Sequence, residues 1–378
     1  MEGEDDQPLL AAFGNPLWDI CIHLADDKVL SEFGLADDSS QEVTAAEYES
    51  LLKAVGRYAC VSYPSQACPG GSALNSLRVF QWLHGRQNGT VFFGSVGKDE
   101  TSKKLLEQVS RDGVDGRFKV QPSLTGSAIC LIHGHLRTLV AHLGAANVYC
   151  KDDLTNEDKR VIERVKLVYI ENFFFTHSQD VIWDVVKLCK THGVGIVVNL
   201  SGAYLFTDHA TVIEALVKCA NIVIGNETEF MALSKLYECK NMELPVIAGI
   251  ISKEGVQNPP CMQVGEGKSV SLENLRSLEK VVVVTRGPKP VLCAYQSELR
   301  LSMPILKPRN IKDTTGAGDA FVAGFLKGLV ECLDIRDCIA LGCYASTEII
   351  QQVGCRPPHH NPMKVEDIKA MYSQEMKK

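Results

Sequence analysis

The densest chemical signal in the chain is the string Asp313-Thr314-Thr315-Gly316-Ala317-Gly318-Asp319. After it, Phe321, Phe325 and Leu329 recur at four-residue spacing, the period of a buried helix face. Small residues therefore crowd a helix start. Amides there are unpaired and point outward, and glycines let a ligand approach them. With the helix dipole they make an anion site suited to phosphate. Asp319, in the first turn, would be an ionised carboxylate beside that anion, placed to act as a base on a hydroxyl. The plain alternative, a helix capped by an acidic residue, does not account for the whole ordered string.

Two further strings pair with it. Pro69-Gly70-Gly71-Ser72-Ala73-Leu74-Asn75 precedes a helix with Leu74, Leu77, Phe80 and Leu83 on related faces. Its glycines bring backbone close to a ligand, and Asn75 is placed to bond hydroxyls; alternatively it is a glycine loop with Ser72 as the helix cap. Gly14-Asn15-Pro16-Leu17-Trp18-Asp19 follows the first strand directly. Ligands of open α/β sheets bind at the carboxyl ends of strands, so Asn15 and Asp19 suit bidentate contact with a diol. The same residues also favour a simple turn.

Continuously apolar runs at Leu9–Phe13, Thr90–Val96, Lys166–Ile170, Val194–Val198, Ala220–Ile224 and Lys280–Thr285 read as buried strands. Helical stretches fall near 99–111, 178–191, 208–217 and 226–237. The alternation predicts an α/β protein with a mostly parallel sheet flanked by helices. Residues 17–65 and 117–143 break the rhythm; the second reads as short strands and hairpins. They are assigned to a small, partly β lid subdomain, leaving 1–16, 66–116 and 144–378 as the large domain. Residues 252–279 read as a surface excursion. Asn226 and Glu229, three apart after a strand, share a helix face where oxygen ligands could organise a hard cation.

Composition excludes several classes. With 378 residues, 45% hydrophobic, 22% charged and a net charge of −7, the chain is neither disordered nor collagenous. The negative charge argues against general nucleic-acid binding. Its 14 cysteines are scattered without a CxxC pair, which fits free thiols in a reducing compartment better than zinc or disulfides. No apolar run approaches a membrane span, and the acidic start MEGEDDQPLL is unlike a signal peptide. A cytoplasmic protein, with the nucleus as a second location, acting as a monomer without membrane or nucleic-acid partners, is expected.

Together the three strings resemble the ribokinase-like, or PfkB, carbohydrate kinase family. DTTGAGDAF matches its C-terminal signature, and Phe93-Gly94-Ser95-Val96-Gly97-Lys98-Asp99 is similar to its N-terminal one, with Ser102 where a further glycine is usual. Within the family the resemblance is greatest to eukaryotic adenosine kinases. GNPLWD, CPGGSALNS, FFGSVGKD, RTLVAHLGAANVY, YIENFFFT, IVIGNETE and KDTTGAGDAF follow in order, from about Phe13 to about Cys355. The resemblance implies transfer of the γ-phosphoryl of ATP to the 5′-hydroxyl of adenosine, with Mg²⁺. It implies Asp319 as base, Gly316, Ala317 and Gly318 as anion hole, and Arg137 reaching the phosphates from the lid. Asn15, Asp19, Gly70, Gly71, Ser72 and Asn75 would hold the ribose. Leu17, Leu139 and Ala141 would form a purine slot with Phe173 stacked on the base. Asn199, Asn226, Thr285, Arg286 and Gly287 would line the ATP side, with Glu229 and Asn226 organising Mg²⁺ through water. Thr315 stands where adenosine kinases often carry Asn, and Cys343 where some relatives are bulkier near the adenine of ATP. His359-His360 reads as a surface turn. A kinase for another ribosyl substrate, or a non-catalytic nucleoside binder on the same fold, are the alternatives. The apolar slot and the retained Asp319 with its anion hole weigh against them.

Overall fold

The computed structural model describes residues 7–375, apart from 38, 61, 63, 64, 86, 88, 135, 238, 240, 260, 261, 263–267, 269 and 277. Fourteen strands are described: β1 Leu10–Phe13, β2 Leu17–His23, β3 Ser40–Glu42, β4 Gln66–Gly70, β5 Thr90–Gly97, β6 Asp115–Gln121, β7 Gly126–His133, β8 Leu136–His142, β9 Leu167–Glu171, β10 Gly195–Asn199, β11 Ile222–Asn226, β12 Val281–Thr285, β13 Val291–Tyr295 and β14 Glu298–Met303. They form a nine-stranded sheet, β14-β13-β12-β11-β10-β9-β1-β5-β6, and a five-stranded sheet, β3-β8-β7-β2-β4.

From β12 to β6 the large sheet is parallel, and β13 and β14 complete it as an antiparallel edge. Its central strands are buried on both faces, which is why they read as unbroken apolar runs rather than alternating ones. Two core clusters fill the opposite faces. One contains the helices Ser72–His84, Ala317–Val330 and Ile335–Ile349; the other contains Gln179–His192 and Phe206–Cys219. The strands predicted from sequence appear with ends shifted by one or two residues. The predicted 226–237 helix is α-helical over Glu227–Leu233 and then tightens to a 3₁₀ turn, Ser234–Tyr237.

The small sheet has two unlike faces. Successive side chains on a strand alternate sides. Ile20 and Ile22 of β2, Ile129 and Leu131 of β7 and Val140 of β8 pack under helices Lys28–Glu32 and Ala45–Val55, against Val29, Leu30, Tyr48, Leu51 and Val55. The opposite face carries Leu17, Asp19 and Cys21, with Ala128, Cys130, Arg137, Leu139 and Ala141 beside them in register. The Ala45–Val55 helix was not legible in the polar 17–65 stretch. Its start is nonetheless written there as Thr44-Ala-Ala-Glu47, a capping box with both reciprocal hydrogen bonds formed.

Three boundaries differ from expectation. FKVQP is not part of a lid hairpin. β6 lies parallel to β5, with Val91 opposite Asp115 and Gly97 opposite Gln121, and the Glu100–Arg111 helix makes the crossover. As a half-buried edge strand, β6 shows the alternation of a hairpin strand. Conversely β4, placed by sequence in the large domain, pairs with β2 in the small sheet. Within 252–279, Leu272 and Leu275 are buried against the main core, so that segment is not wholly a surface excursion.

The FGSVGKD string is a packing element. A Cβ on Gly94 would come within 2.7 Å of the Gly14 carbonyl, and one on Gly97 within 2.4 Å of the Ser123 carbonyl. Asp99 caps the following helix through Ser102 and also accepts from the Thr125 amide and hydroxyl, which ties the chain between β6 and β7 to this corner. At the crossing of the Ala317–Val330 and Ile335–Ile349 helices, a Cβ on Gly324 would sit 2.3 Å from the Leu341 carbonyl oxygen. Because that neighbour is backbone, Gly324→Ala must push the helices apart. It is expected to lower stability by about 1–3 kcal/mol or more, read as a reduced urea midpoint with an unchanged slope.

Candidate active site

The functional strings converge at the carboxyl ends of β1 and β9, where the start of the Ala317–Val330 helix faces the start of the Ser72–His84 helix. Gly316 is the N-cap of the first, in the left-handed region at φ 77°, and a Cβ there would collide with Cys355 at 2.4 Å. The loop before it is fixed by Asp313, whose carboxylate accepts from the Thr315 amide and hydroxyl and from the Gly354 amide. Thr315 therefore holds the loop from within. The Ala317 amide donates to the Thr314 carbonyl at 3.1 Å, so that amide is already engaged within the turn. A Cβ on the exposed Gly318 would meet nothing within 4 Å, so the helix start opens into the cleft.

Asp319 accepts from Ser72 Oγ at 2.8 Å and from Asn75 Nδ2 at 3.0 Å. Ser72 is thus not the cap of its helix. Gly71 is, at φ 94°, where a Cβ would lie 1.9 Å from the Asn15 carbonyl. Burial raises the Asp319 carboxyl above its ordinary value, opposed by the Asn75 and Ser72 hydrogen bonds and by Arg137. A raised proton affinity would suit a carboxylate that has to accept a proton.

Asp19 sits on the cleft-facing side of β2, against Gly70, where a Cβ would fall 2.0 Å from its carboxylate. It is buried, its Oδ1 has no hydrogen-bond partner, and burial followed by the Asp319 charge raises it to about 7. A buried oxygen without a partner is one that a ligand hydroxyl would satisfy. Arg137, on β8, donates to Ser40 Oγ at 3.0 Å and lies close enough to lower both Asp19 and Asp319. Leu17 and Ala141 form an apolar cluster with Ala128 and Ala146, and Leu139 packs against it.

Asn15 also has partners within the fold. Its Nδ2 donates to the Phe173 carbonyl at 3.2 Å and its Oδ1 meets His177 Nε2 at 3.0 Å. These bonds tie the amide to the Asn172–Phe175 helix and leave one N–H and one carbonyl lone pair. Phe173 lies at that helix start, 6.2 Å from the Tyr204 ring. Tyr204 was not singled out from sequence. Its hydroxyl donates to Glu42 Oε1 at 3.3 Å, and Glu42 pairs with Ala141. It therefore links the aromatic side of the cleft to the lid sheet. Glu171 was also missed; its signal is a carboxylate closing an otherwise apolar strand, LVYIE.

On the other side of the cleft, Asn199, Asn226 and Thr285 end the adjacent strands β10, β11 and β12. Asn199 is engaged by the Tyr169 hydroxyl and the Ser201 amide, holding Ser201 at φ 67°. Asn226 and Glu229 form a reciprocal capping box; Glu229 is buried and raised by that burial to about 7. Arg286 has a buried Nε without a partner, and Gly287 after it takes φ 55°. Cys343 is buried in the core cluster.

A pfkB family carbohydrate kinase model matches residues 65–362. The chain belongs to this family. Among curated relatives of this pfkB kinase, adenosine kinase 2 of Arabidopsis thaliana is 30% identical over 357 residues, covering 93% of this chain and 96% of the relative. Adenosine kinase of Saccharomyces cerevisiae is 30% identical, covering 91% and 95%. The crystal structure of Anopheles gambiae adenosine kinase in complex with P1,P4-di(adenosine-5) tetraphosphate superposes with a TM-score of 0.81 at 28% identity, covering 95% of this chain and 99% of that one. Adenosine kinase from Schistosoma mansoni in complex with adenosine and AMP, at 22% identity and TM-score 0.79, shares the fold.

The buried carboxyls of this kinase imply a pH dependence. Asp19, Glu171 and Glu229 are raised to about 7, about 8 and about 7 by burial. Each holds its proton in the folded state where the unfolded chain has lost it, so stability falls as pH rises. His177, lowered to about 4 by burial, acts oppositely but only below its unfolded value of 6.5. The urea midpoint of the ligand-free protein is expected to decline between about pH 6.5 and pH 8, measured at fixed ionic strength.

Proposed function

We infer that this chain transfers the γ-phosphoryl group of ATP to the 5′-hydroxyl of adenosine, giving AMP and ADP. The observation that carries the reading is Asp319, held at a helix N-terminus by Ser72 and Asn75 of the facing glycine turn. Curated adenosine kinases that are 30% identical over nine-tenths of both chains support adenosine as the acceptor.

Phosphoryl transfer asks the protein for position and charge stabilisation. Asp19, through its free Oδ1, and the backbone at Gly70 and Gly71 receive the ribose hydroxyls. Leu17, Leu139 and Ala141 take one face of the purine and Phe173 the other. Asp319 orients the 5′-hydroxyl and accepts its proton as the oxygen bonds to phosphorus, and the electron pair of the broken bond leaves with ADP. Amides at Gly318 and beyond, with Arg137 from the lid, stabilise the transferring group. Arg286, with its unpartnered Nε, faces the phosphates of ATP.

Mg²⁺ is expected to serve this chain only as an outer-sphere ion, since Glu229 is buried with both oxygens bonded to Asn226 and offers no direct ligand. No group of three acidic, histidine or cysteine side chains able to hold a metal occurs among the described residues. Mg²⁺ keeps several waters and is commonly bound through one or two carboxylates plus phosphate oxygens. Asn226 and Glu229 would hold those waters, and the ion would neutralise phosphate charge. No helix among the described residues is long and apolar enough to cross a membrane; we propose a monomeric cytoplasmic enzyme.

ADP release by the purified protein, assayed over a panel of nucleosides and sugars, should be strong with adenosine and weak with free ribose. Asp319→Asn keeps the shape but not the base. It is expected to cut kcat by about 10²–10⁴ while adenosine still binds in calorimetry; a folded variant with normal turnover refutes the role. Phe173→Ala is expected to weaken adenosine binding by about 1–3 kcal/mol, the scale of aromatic–base stacking. Unchanged affinity in a variant of normal melting temperature removes Phe173 from the slot.

A further inference from the structure

Glu42 and Tyr204 meet at the edge of the proposed purine slot, and the small sheet sets Glu42 in line with Asp19. On the cleft-facing side, Asp19 of β2 pairs with Ala128 of β7, Ala128 with Ala141 of β8, and Ala141 with Glu42 of β3. Residues paired across adjacent strands share a face. Asp19, Ala128, Ala141 and Glu42 therefore form one row with a carboxyl at each end. The neighbouring row, Cys21, Cys130, Leu139 and Ser40, carries no charged residue. Three strand spacings separate the ends of the charged row, which sets their backbones about 14 Å apart.

The middle of the row is apolar. Ala128 and Ala141 cluster with Leu17 and Ala146, and Leu139 packs against them. At the β2 end, Asp19 offers an Oδ1 that has no partner. At the β3 end, Glu42 is exposed. Its Oε1 accepts from the Tyr204 hydroxyl at 3.3 Å, which holds the carboxylate in place and leaves Oε2 as an acceptor. The Tyr204 ring stands 6.2 Å from the Phe173 ring, so Glu42 is anchored to the aromatic wall on which the base would stack. A ligand that fits this row has a hydroxyl donor at one end, a flat apolar body and a second donor at the other end. An aminopurine ribonucleoside is such a molecule. Its ribose hydroxyls reach Asp19, and its 6-amino group, on the far edge of the base, reaches Glu42. A 6-oxo group would set only lone pairs against the carboxylate. A pyrimidine carries its amine on a single ring and falls short of the row.

We propose that Glu42 accepts a hydrogen bond from the exocyclic 6-amino group of the purine, making it a specificity-determining residue, with Tyr204 as the positioning residue that aims it. This rests on the reading of the cleft as an adenosine site, with the ribose on Asp19 and the base between Phe173 and Ala141. Glu42 is exposed, so the bond forms in competition with water. Its effect therefore falls at the low end for a hydrogen bond to a charged group, about tenfold in affinity. Adenosine is bound more tightly than purine riboside, which carries only hydrogen at position 6.

The test is calorimetry on the full chain with adenosine and with purine riboside, which differ only at position 6. The wild-type protein should bind adenosine about tenfold more tightly. In Glu42→Gln the side-chain carbonyl still accepts from Tyr204, but the charged acceptor is gone, and the ratio of the two affinities should fall to near one. Tyr204→Phe keeps the ring beside Phe173 and frees the carboxylate to swing, so the ratio should fall part of the way. A merely structural Glu42 would weaken both ligands alike, or lower the melting temperature, and leave the ratio where it was. That result overturns the proposal, as does a wild-type ratio near one, and either leaves the adenosine reading standing if ADP is still released with adenosine. A wild-type protein that prefers adenosine in calorimetry but releases no ADP with it sinks the phosphoryl transfer and leaves the role of Glu42 standing.

Discussion

Two hydrogen bonds, from Ser72 and Asn75 to the carboxylate of Asp319, decide the geometry of everything around them. They join residues more than 240 positions apart in the chain and set two helix N-termini face to face. A half-buried carboxylate there is held by donors, because an unpaired charge withdrawn from water is costly. The arrangement therefore fixes the relative position of the turns at Gly71 and Gly316, both in left-handed conformations that favour glycine. Around that contact the chain concentrates negative charge, with Asp19 and Glu171 buried beside Asp319. Like charges in one low-dielectric site raise one another's proton affinity. Arg137, a cation near both Asp19 and Asp319, comes from the small sheet, so the electrostatic balance of these carboxyls depends on where that sheet stands.

The small sheet is a two-faced object for a simple reason. Strand pleating sends alternate residues to opposite sides, and two short amphipathic helices cover only one side. The uncovered side of β2, β7 and β8 supplies Asp19, Leu17, Leu139, Ala141 and Arg137, a polar end and an apolar end in register. Tyr204 then couples this sheet to the large one, with its ring beside Phe173 and its hydroxyl on Glu42. In the proposed reading the purine and ribose groups share one face of this sheet, Leu17 and Asp19 from β2 and Leu139 and Ala141 from β8. The proposed phosphate side lies at the carboxyl ends of β10, β11 and β12, the ordinary binding edge of a parallel sheet.

The chain's local sequence determined the kind of protein and most of the parts. Unbroken apolar strands alternating with amphipathic helices dictate a parallel sheet, because only a doubly covered strand can be apolar on both faces. Glycines flanked by Asp, Ser and Asn at helix starts mark the anion and hydroxyl sites, because the backbone conformations required admit little else. Asp319, Ser72, Asn75 and Asp19 were singled out on those grounds and Arg137 through family resemblance alone, and the fold brings them near one another. Tertiary structure decided what pairing and burial decide. It placed β6 at the edge of the large sheet and β4 in the small one, since an edge strand and a hairpin strand carry the same alternation. Asn15 was turned toward Phe173 and His177, and Ala317 spent its amide on Thr314, because hydrogen bonds satisfied within the fold leave no trace in residue type. Glu171 ends β9 and Tyr204 lies in the turn after β10, both far away in sequence; the acid closing LVYIE was a faint local signal, and nothing local distinguishes a bridging tyrosine from a solvated one. Their roles come from the low dielectric and the neighbours around them, which exist only once the chain has closed on itself.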